Sequence, residues 1–175
     1  MDELNKKHEH FLLGLKSGYD WQLWVAFQLL KEGFFVQVPT LRLRQRITDE
    51  NIYTDEGDIA IYIPDKIRKF ECKSLKKMKF TSNKDFPRDQ IIVDMVSNWD
   101  KKKHKPVAVI NVCRETQGMF VIFTDWNSKN YWVIKEAYDT VKKYYSDFYF
   151  IDKNSKFVRS WEYFINWLKR LTEKK

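Results

Sequence analysis

Apolar and polar residues alternate most regularly between Glu56 and Lys76, with the period of a β-strand and one interruption at Pro64-Asp65-Lys66. Ile59, Ile61 and Ile63 share one face of the first predicted strand. Arg68, Phe70 and Cys72 share one face of the second. A tight loop at Asp65-Lys66 pairs 61 with 70 and 59 with 72, which brings the apolar positions together. The same register sets Asp58 opposite Lys73, with Glu71 two residues along on that face. Two carboxylates and one ammonium then converge at one end of a hairpin.

The pattern on either side supplies the other predicted elements. Residues 1–17 read as a polar, basic lead-in. Gly18–Glu32 reads as a helix whose apolar residues cover most of its circumference, predicting burial on several sides. Gly33 stops it, and 34–38 follows as a strand closed by Pro39. Between Thr40 and Arg46, Leu41 and Leu43 alternate with Arg42, Arg44 and Arg46. Extended, this places three guanidinium groups on one side, a spacing that suits phosphates; the plainer reading is a solvated edge strand blunted by charge. Residues 48–54 read as a loop, and so does 74–84, which carries Lys76 and Lys77.

Pro87 opens a second predicted helix with an apolar stripe of Ile91, Ile92, Met95, Val96 and Trp99, and with Gln90 and Asp94 off it. Lys101 to Lys105 end that helix, where cations suit its dipole. Strands at 106–112 and 119–124 meet at a turn on Gln117-Gly118. An aromatic and polar stretch at 126–132 comes next, then a helix at 136–145 and a strand at 148–151. Ser160–Leu171 is an amphipathic helix with Trp161, Phe164, Ile165, Leu168 and Leu171 as its stripe.

A chain of 175 residues suits one domain, and 5 glycines and 4 prolines leave no room for a long linker. We take 18–124 as its core and 125–175 as a C-terminal α/β extension packed on it. A net charge of +8 and a 17% aromatic content favour nucleic acid as a partner, since phosphates supply most non-specific affinity. Cys72 and Cys113 make no disulfide framework and read as small core residues in a reducing compartment. No signal peptide or membrane span is legible, so a cytoplasmic protein without a membrane partner is expected. His8 and His10 flank Glu9 without further ligands and read as solvated. Neither a phosphate-binding glycine loop nor a Ser-His-Asp set is present.

Two carboxylates held together call for a cation, and a hard divalent ion takes carboxylate, water and phosphate oxygens. A lysine beside such an ion can orient or deprotonate an attacking water, or neutralise charge on a phosphoryl group. The plainer reading of the same residues is an exposed Glu–Lys pair on a hairpin edge.

Gly57-Asp58-Ile59 followed by Glu71-Cys72-Lys73 resembles the PD-(D/E)xK nuclease superfamily, of restriction-endonuclease-like fold. The order of predicted elements, a helix, three strands, a basic helix and further strands, resembles the αβββαβ core of that superfamily over Gly18–Thr124. The resemblance implies a central mixed β-sheet flanked by helices and a nuclease using Mg²⁺ or Mn²⁺. Asp58, Glu71 and the backbone carbonyl of Cys72 would hold the metal, and Lys73 would assist the water. Many members carry a glutamate on the first helix; here Gln22 stands at that place, an auxiliary that brings no charge. Arg42, Arg44, Arg46, Lys76 and Lys77 would position a nucleic-acid backbone, most naturally DNA. Cutting both strands would suit a homodimer, though no residue requires one. A non-catalytic nucleic-acid-binding module on the same fold is the alternative, and an interaction protein with an incidental acidic hairpin is a third.

Overall fold

The computed structural model describes residues 3–39, 58–64, 66–125, 127–139 and 144–173. The expected hairpin is present. Strands β2 (Ile59–Ile63) and β3 (Lys66–Leu75) pair antiparallel, with Ile59 opposite Phe70, Ile61 opposite Arg68 and Ile63 opposite Lys66. The register therefore differs by two residues from the one alternation suggested. A shift of two leaves every side chain on its own face, so alternation cannot choose between the two registers. Pro64 can: in the expected register it would occupy a ladder position without an N–H to donate, whereas here it falls in the connection.

The hairpin is the middle of a six-stranded mixed sheet of order β1-β2-β3-β5-β6-β9, with β1 at Phe35–Gln37, β5 at Ala108–Cys113, β6 at Met119–Phe123 and β9 at Val158–Ser160. β3 and β5 are parallel, and the other neighbours are antiparallel. A parallel pair needs a crossover. Here it runs through strand β4 (Gln90–Met95) and the short helix α2 (Val96–Lys101). β4 belongs to a second sheet of order β4-β8-β7, with β7 at Trp132–Asp139 and β8 at Tyr144–Asp152. Helices α1 (Glu3–Lys31) and α3 (Trp161–Glu173) complete the α/β fold.

Strand alternation gives the large sheet two apolar faces. Ile59, Ile61, Phe70, Ile110 and Val121 pack against Val25 and Leu29 of α1 and Phe164, Ile165 and Leu168 of α3. Val109, Phe120 and Ile122 pack on the other side against Ile91, Val93, Tyr149 and Ile151 of the second sheet. The C-terminal segment is thus interleaved with the core: α3 lies on one face, β9 extends the large sheet and β8 pairs with β4.

Several expectations need correction. The 87–101 segment is a strand and one and a half turns of helix. A run that is almost continuously apolar satisfies helical and strand spacing alike, and the β-branched Ile91-Ile92-Val93 pair well on the second sheet. The helix expected at 136–145 is replaced by β7 and the start of β8, whose tyrosines and β-branched residues suit a ladder. α1 begins at Glu3, so most of the lead-in is helical. It is also covered on one side only: Leu13, Leu23, Phe27 and Leu30 are exposed. Its end is as expected. Gly33, at φ 89°, donates to Leu30 O and Phe34 donates to Leu29 O, a Schellman closure. Thr40–Arg46, with Arg42, Arg44 and Arg46, lies outside the described residues, as do residues 48–54 and the side chains of His8 and His10.

The turn between β5 and β6 falls at Gln117-Gly118 as expected. A Cβ on Gly118 would stand 2.4 Å from both Phe80 O and Thr81 Cα, which are backbone atoms unable to yield cheaply. Gly118→Ala is therefore expected to cost about 3 kcal/mol or more, read as a lower urea midpoint. Among the described residues no helix is long and apolar enough to cross a membrane.

Candidate active site

Glu71 and Lys73 are odd-numbered positions of β3 and project from the face turned toward the second sheet, opposite the Phe70–Cys72 face that meets α1 and α3. Asp94 reaches them from β4. That strand carries a bulge: Ile92 pairs with Phe150 and Asp94 with Tyr149, so Val93 is one residue in excess. Without it, Asp94 would share the outward parity of Gln90 and Ile92. The extra residue turns Asp94 inward beside Tyr149.

The result is a closed quartet of two carboxylates and two ammoniums. Lys73 Nζ lies 3.0 Å from Glu71 Oε1 and 3.4 Å from Asp94 Oδ1. Lys102, the residue that caps the C-terminal end of α2, donates through Nζ to Glu71 Oε2 and, at 2.9 Å, to Asp94 Oδ2. The Met95 N–H donates to Asp94 Oδ1 at 2.8 Å. The Trp99 ring lies 5.8 Å from Lys102 Nζ and 5.5 Å from Lys105 Nζ. Lys105 in turn donates to the carbonyls of Trp99 and Asp100 in α2 and of Lys102 at its cap, the role expected of the lysine run.

Burial works against the charges of Asp94, Lys73 and Lys102, and their neighbours outweigh it. Asp94 would be raised by desolvation, but Lys73, Lys102 and the Met95 N–H hold its carboxyl below the usual aspartate range. Lys73 and Lys102 would be lowered by burial, but Glu71 and Asp94 hold both ammoniums above the usual lysine range. Lys73 is thus held in its cationic form. Its side chain is 24% exposed, against 7–11% for the other three, so the quartet is open to solvent at Lys73.

Asp58 lies one residue before β2, where continuing the register past Ile59–Phe70 faces it toward Glu71 rather than Lys73. Its N–H donates to Phe70 O at 2.9 Å, and its Oδ2 accepts from the Cys72 N–H at 2.7 Å. Asp58 therefore continues the β2–β3 ladder through its side chain. It is the Cys72 amide, rather than its carbonyl, that Asp58 touches. Burial, with Asp58 and Glu71 nearby, pushes the Cys72 thiol well above its ordinary range, which leaves it unreactive.

Gln22 shares the stripe of α1 that carries Val25, Ala26 and Leu29, and that stripe meets the opposite face of the sheet from Glu71 and Lys73. Lys76 and Lys77 are exposed just beyond β3. Asn111 stands beside Lys73 in the parallel ladder and on the same face; it is buried, and its Nδ2 has no hydrogen-bond partner.

Asp94, Lys102 and Asn111 join the site although none was expected there from the sequence. A signal existed for Asp94 and Asn111, each a polar side chain inside an apolar strand-like run that must find a partner if buried. Lys102 gave none, being one of four lysines within five positions.

Hard oxygen donors are what a divalent ion such as Mg²⁺ requires, and one or two carboxylates suffice when water and phosphate complete the shell. Glu71 and Asp94 already share one cationic centre, the Lys102 ammonium, so their spacing suits a common cation. Among the described residues no three His, Cys, Asp or Glu side chains are grouped to hold a metal. The chain matches no family model, no curated protein and no solved structure.

Proposed function

We propose that this protein is a metal-dependent nuclease that hydrolyses phosphodiester bonds in nucleic acid, DNA foremost. The observation that carries the reading is the quartet: two carboxylates from different sheets share one cation, with a second lysine at the open corner. The order of elements supports it as well. A helix, a three-strand antiparallel meander, a crossover, a strand parallel to β3 and an antiparallel neighbour follow the succession the PD-(D/E)xK resemblance implies. The departures are a crossover that is largely strand and a Gln22 directed to the other face.

In this reading Glu71 and Asp94 would hold Mg²⁺ or Mn²⁺, with Asp58 fixing the hairpin end beside them. The ion supplies a polarised water and neutralises phosphoryl charge. Lys73, kept protonated, donates to a phosphate oxygen and stabilises the charge that grows there. Asn111 Nδ2 adds a neutral donor on the same face. Lys102 holds the two carboxylates together, and a cation bound by both would compete with its ammonium.

One observation favours a second reading. The carboxylates are already neutralised by Lys73 and Lys102, and Asp58 is bound to a backbone amide, as a non-catalytic nucleic-acid-binding module would allow. Metal-dependent cleavage by wild type separates the two, and Lys73→Met tests the part Lys73 plays in it. A catalytic Lys73 predicts that the variant binds DNA within about threefold of wild type and loses about 100-fold or more in single-turnover cleavage. Equal cleavage by variant and wild type would remove Lys73 from the chemistry.

A further inference from the structure

The face of the hairpin that bears Glu71 and Lys73 continues past the site. Moving toward the turn, the next cross-strand row is Gln37–Ala60–Lys69, and the one after it is Phe35–Tyr62–Ile67. Parity keeps these rows on the face of Glu71. The second sheet and α3 do not cover the last row: Phe35 is 75% exposed, Ile67 55% and Tyr62 38%. The rings of Phe35 and Tyr62 meet edge to face at 5.8 Å, and the Tyr62 hydroxyl donates to Gln37 Oε1. Ile67 and Glu71 are four strand residues apart, or about 13 Å.

An exposed aromatic row on a single β-strand layer is costly in water and calls for an occupant. The surroundings specify which kind. On the platform's own face β3 carries Lys69 and Lys73 against one acid, Glu71, with Lys76 and Lys77 exposed just beyond the strand, whereas Lys66 and Arg68 lie on the opposite face. That acid is already neutralised in the quartet. An apolar peptide would gain nothing from this charge, whereas a polyanion with flat aromatic groups gains from both features. Single-stranded nucleic acid is held by this combination, a cationic track with rings on which bases stack. A paired duplex has no free base faces to offer.

We propose that Phe35, Tyr62 and Ile67 form a stacking platform for unpaired bases of the strand whose phosphodiester lies at Glu71 and Lys73. The substrate class is then nucleic acid with a single-stranded segment next to the scissile bond. This rests on the nuclease reading for the position of the scissile bond, while the platform itself is tested by binding alone.

The experiment measures fluorescence anisotropy of labelled oligodeoxynucleotides in EDTA: single-stranded, fully paired, and paired with a single-stranded tail. Wild type is compared with Phe35→Ala and Tyr62→Ala, both exposed positions whose folding is checked by circular dichroism. Each variant is expected to bind the single-stranded and tailed probes about 5- to 100-fold more weakly and the duplex within twofold of wild type. Unchanged single-strand affinity overturns the platform, even if metal-dependent cleavage is intact. An equal loss on duplex also overturns it, as does a dimer in sedimentation that Phe35→Ala converts to monomer, because the row is then a self-association face. If wild type binds the single strand through the platform but never cleaves, the platform stands and the nuclease reading falls.

Discussion

Lys102→Met is expected to yield a protein that is weak in EDTA and rescued by divalent metal. Removing the ammonium leaves Glu71 and Asp94, both buried, facing each other with Lys73 as their remaining partner in the quartet. Deleting one partner of a buried ionic group costs about 3–5 kcal/mol, so thermal unfolding in EDTA should begin many degrees lower. A divalent ion at the shared position replaces the lost charge. At about 100 times its dissociation constant it returns about 2.7 kcal/mol. Wild type should respond less, because the ion must first displace Lys102. Thermal scans of both proteins with and without Mg²⁺ or Mn²⁺ check this. A variant that metal does not stabilise would make the quartet structural.

Asp94→Asn is the second large effect. It removes the charge that faces both lysines and leaves Glu71 opposite two ammoniums. Stability should fall by about 3–5 kcal/mol, and metal-dependent cleavage by about 100-fold or more. The pH dependence of wild-type stability follows from the same contacts. The lowered Asp94 contributes stability that is complete above its ordinary value of 3.8 and is lost as pH falls through its depressed native value. Lys73 and Lys102, both raised, contribute stability that is complete below 10.5 and is lost as pH rises through their higher native values. The quartet's contribution to the urea midpoint should be flat between these limits, and the acid arm should flatten in Asp94→Asn.

The parts legible in the sequence are those that local periodicity controls. Alternation placed β2, β3, β5 and β6 and the face shared by Glu71 and Lys73. The i, i+3, i+4 stripe placed α3, and Gly33 marked the end of α1. Periodicity could not set the hairpin register, because a slip of two residues is invisible to a pattern of period two. Nor could it separate helix from strand at 90–95, where nearly every position is apolar. Asp94 was hidden twice: helical reading put it off the apolar stripe, and strand parity without the Val93 bulge would have put it outside. Lys102 joins the site only through the crossover, a contact 31 residues from Glu71 along the chain. The acid the hairpin suggested as Glu71's partner, Asp58, serves the backbone ladder, and the acid that completes the quartet comes from another sheet.

DNA cleavage distinguishes a nuclease from a binding module. Wild type and Glu71→Gln are incubated with supercoiled plasmid, linear duplex and branched DNA in Mg²⁺, Mn²⁺ or EDTA. Cutting by wild type that needs metal, stops in EDTA and is lost in Glu71→Gln is the predicted result. DNA that is bound but left intact under every metal would contradict it, and would leave the quartet as the ionic core of a binding module.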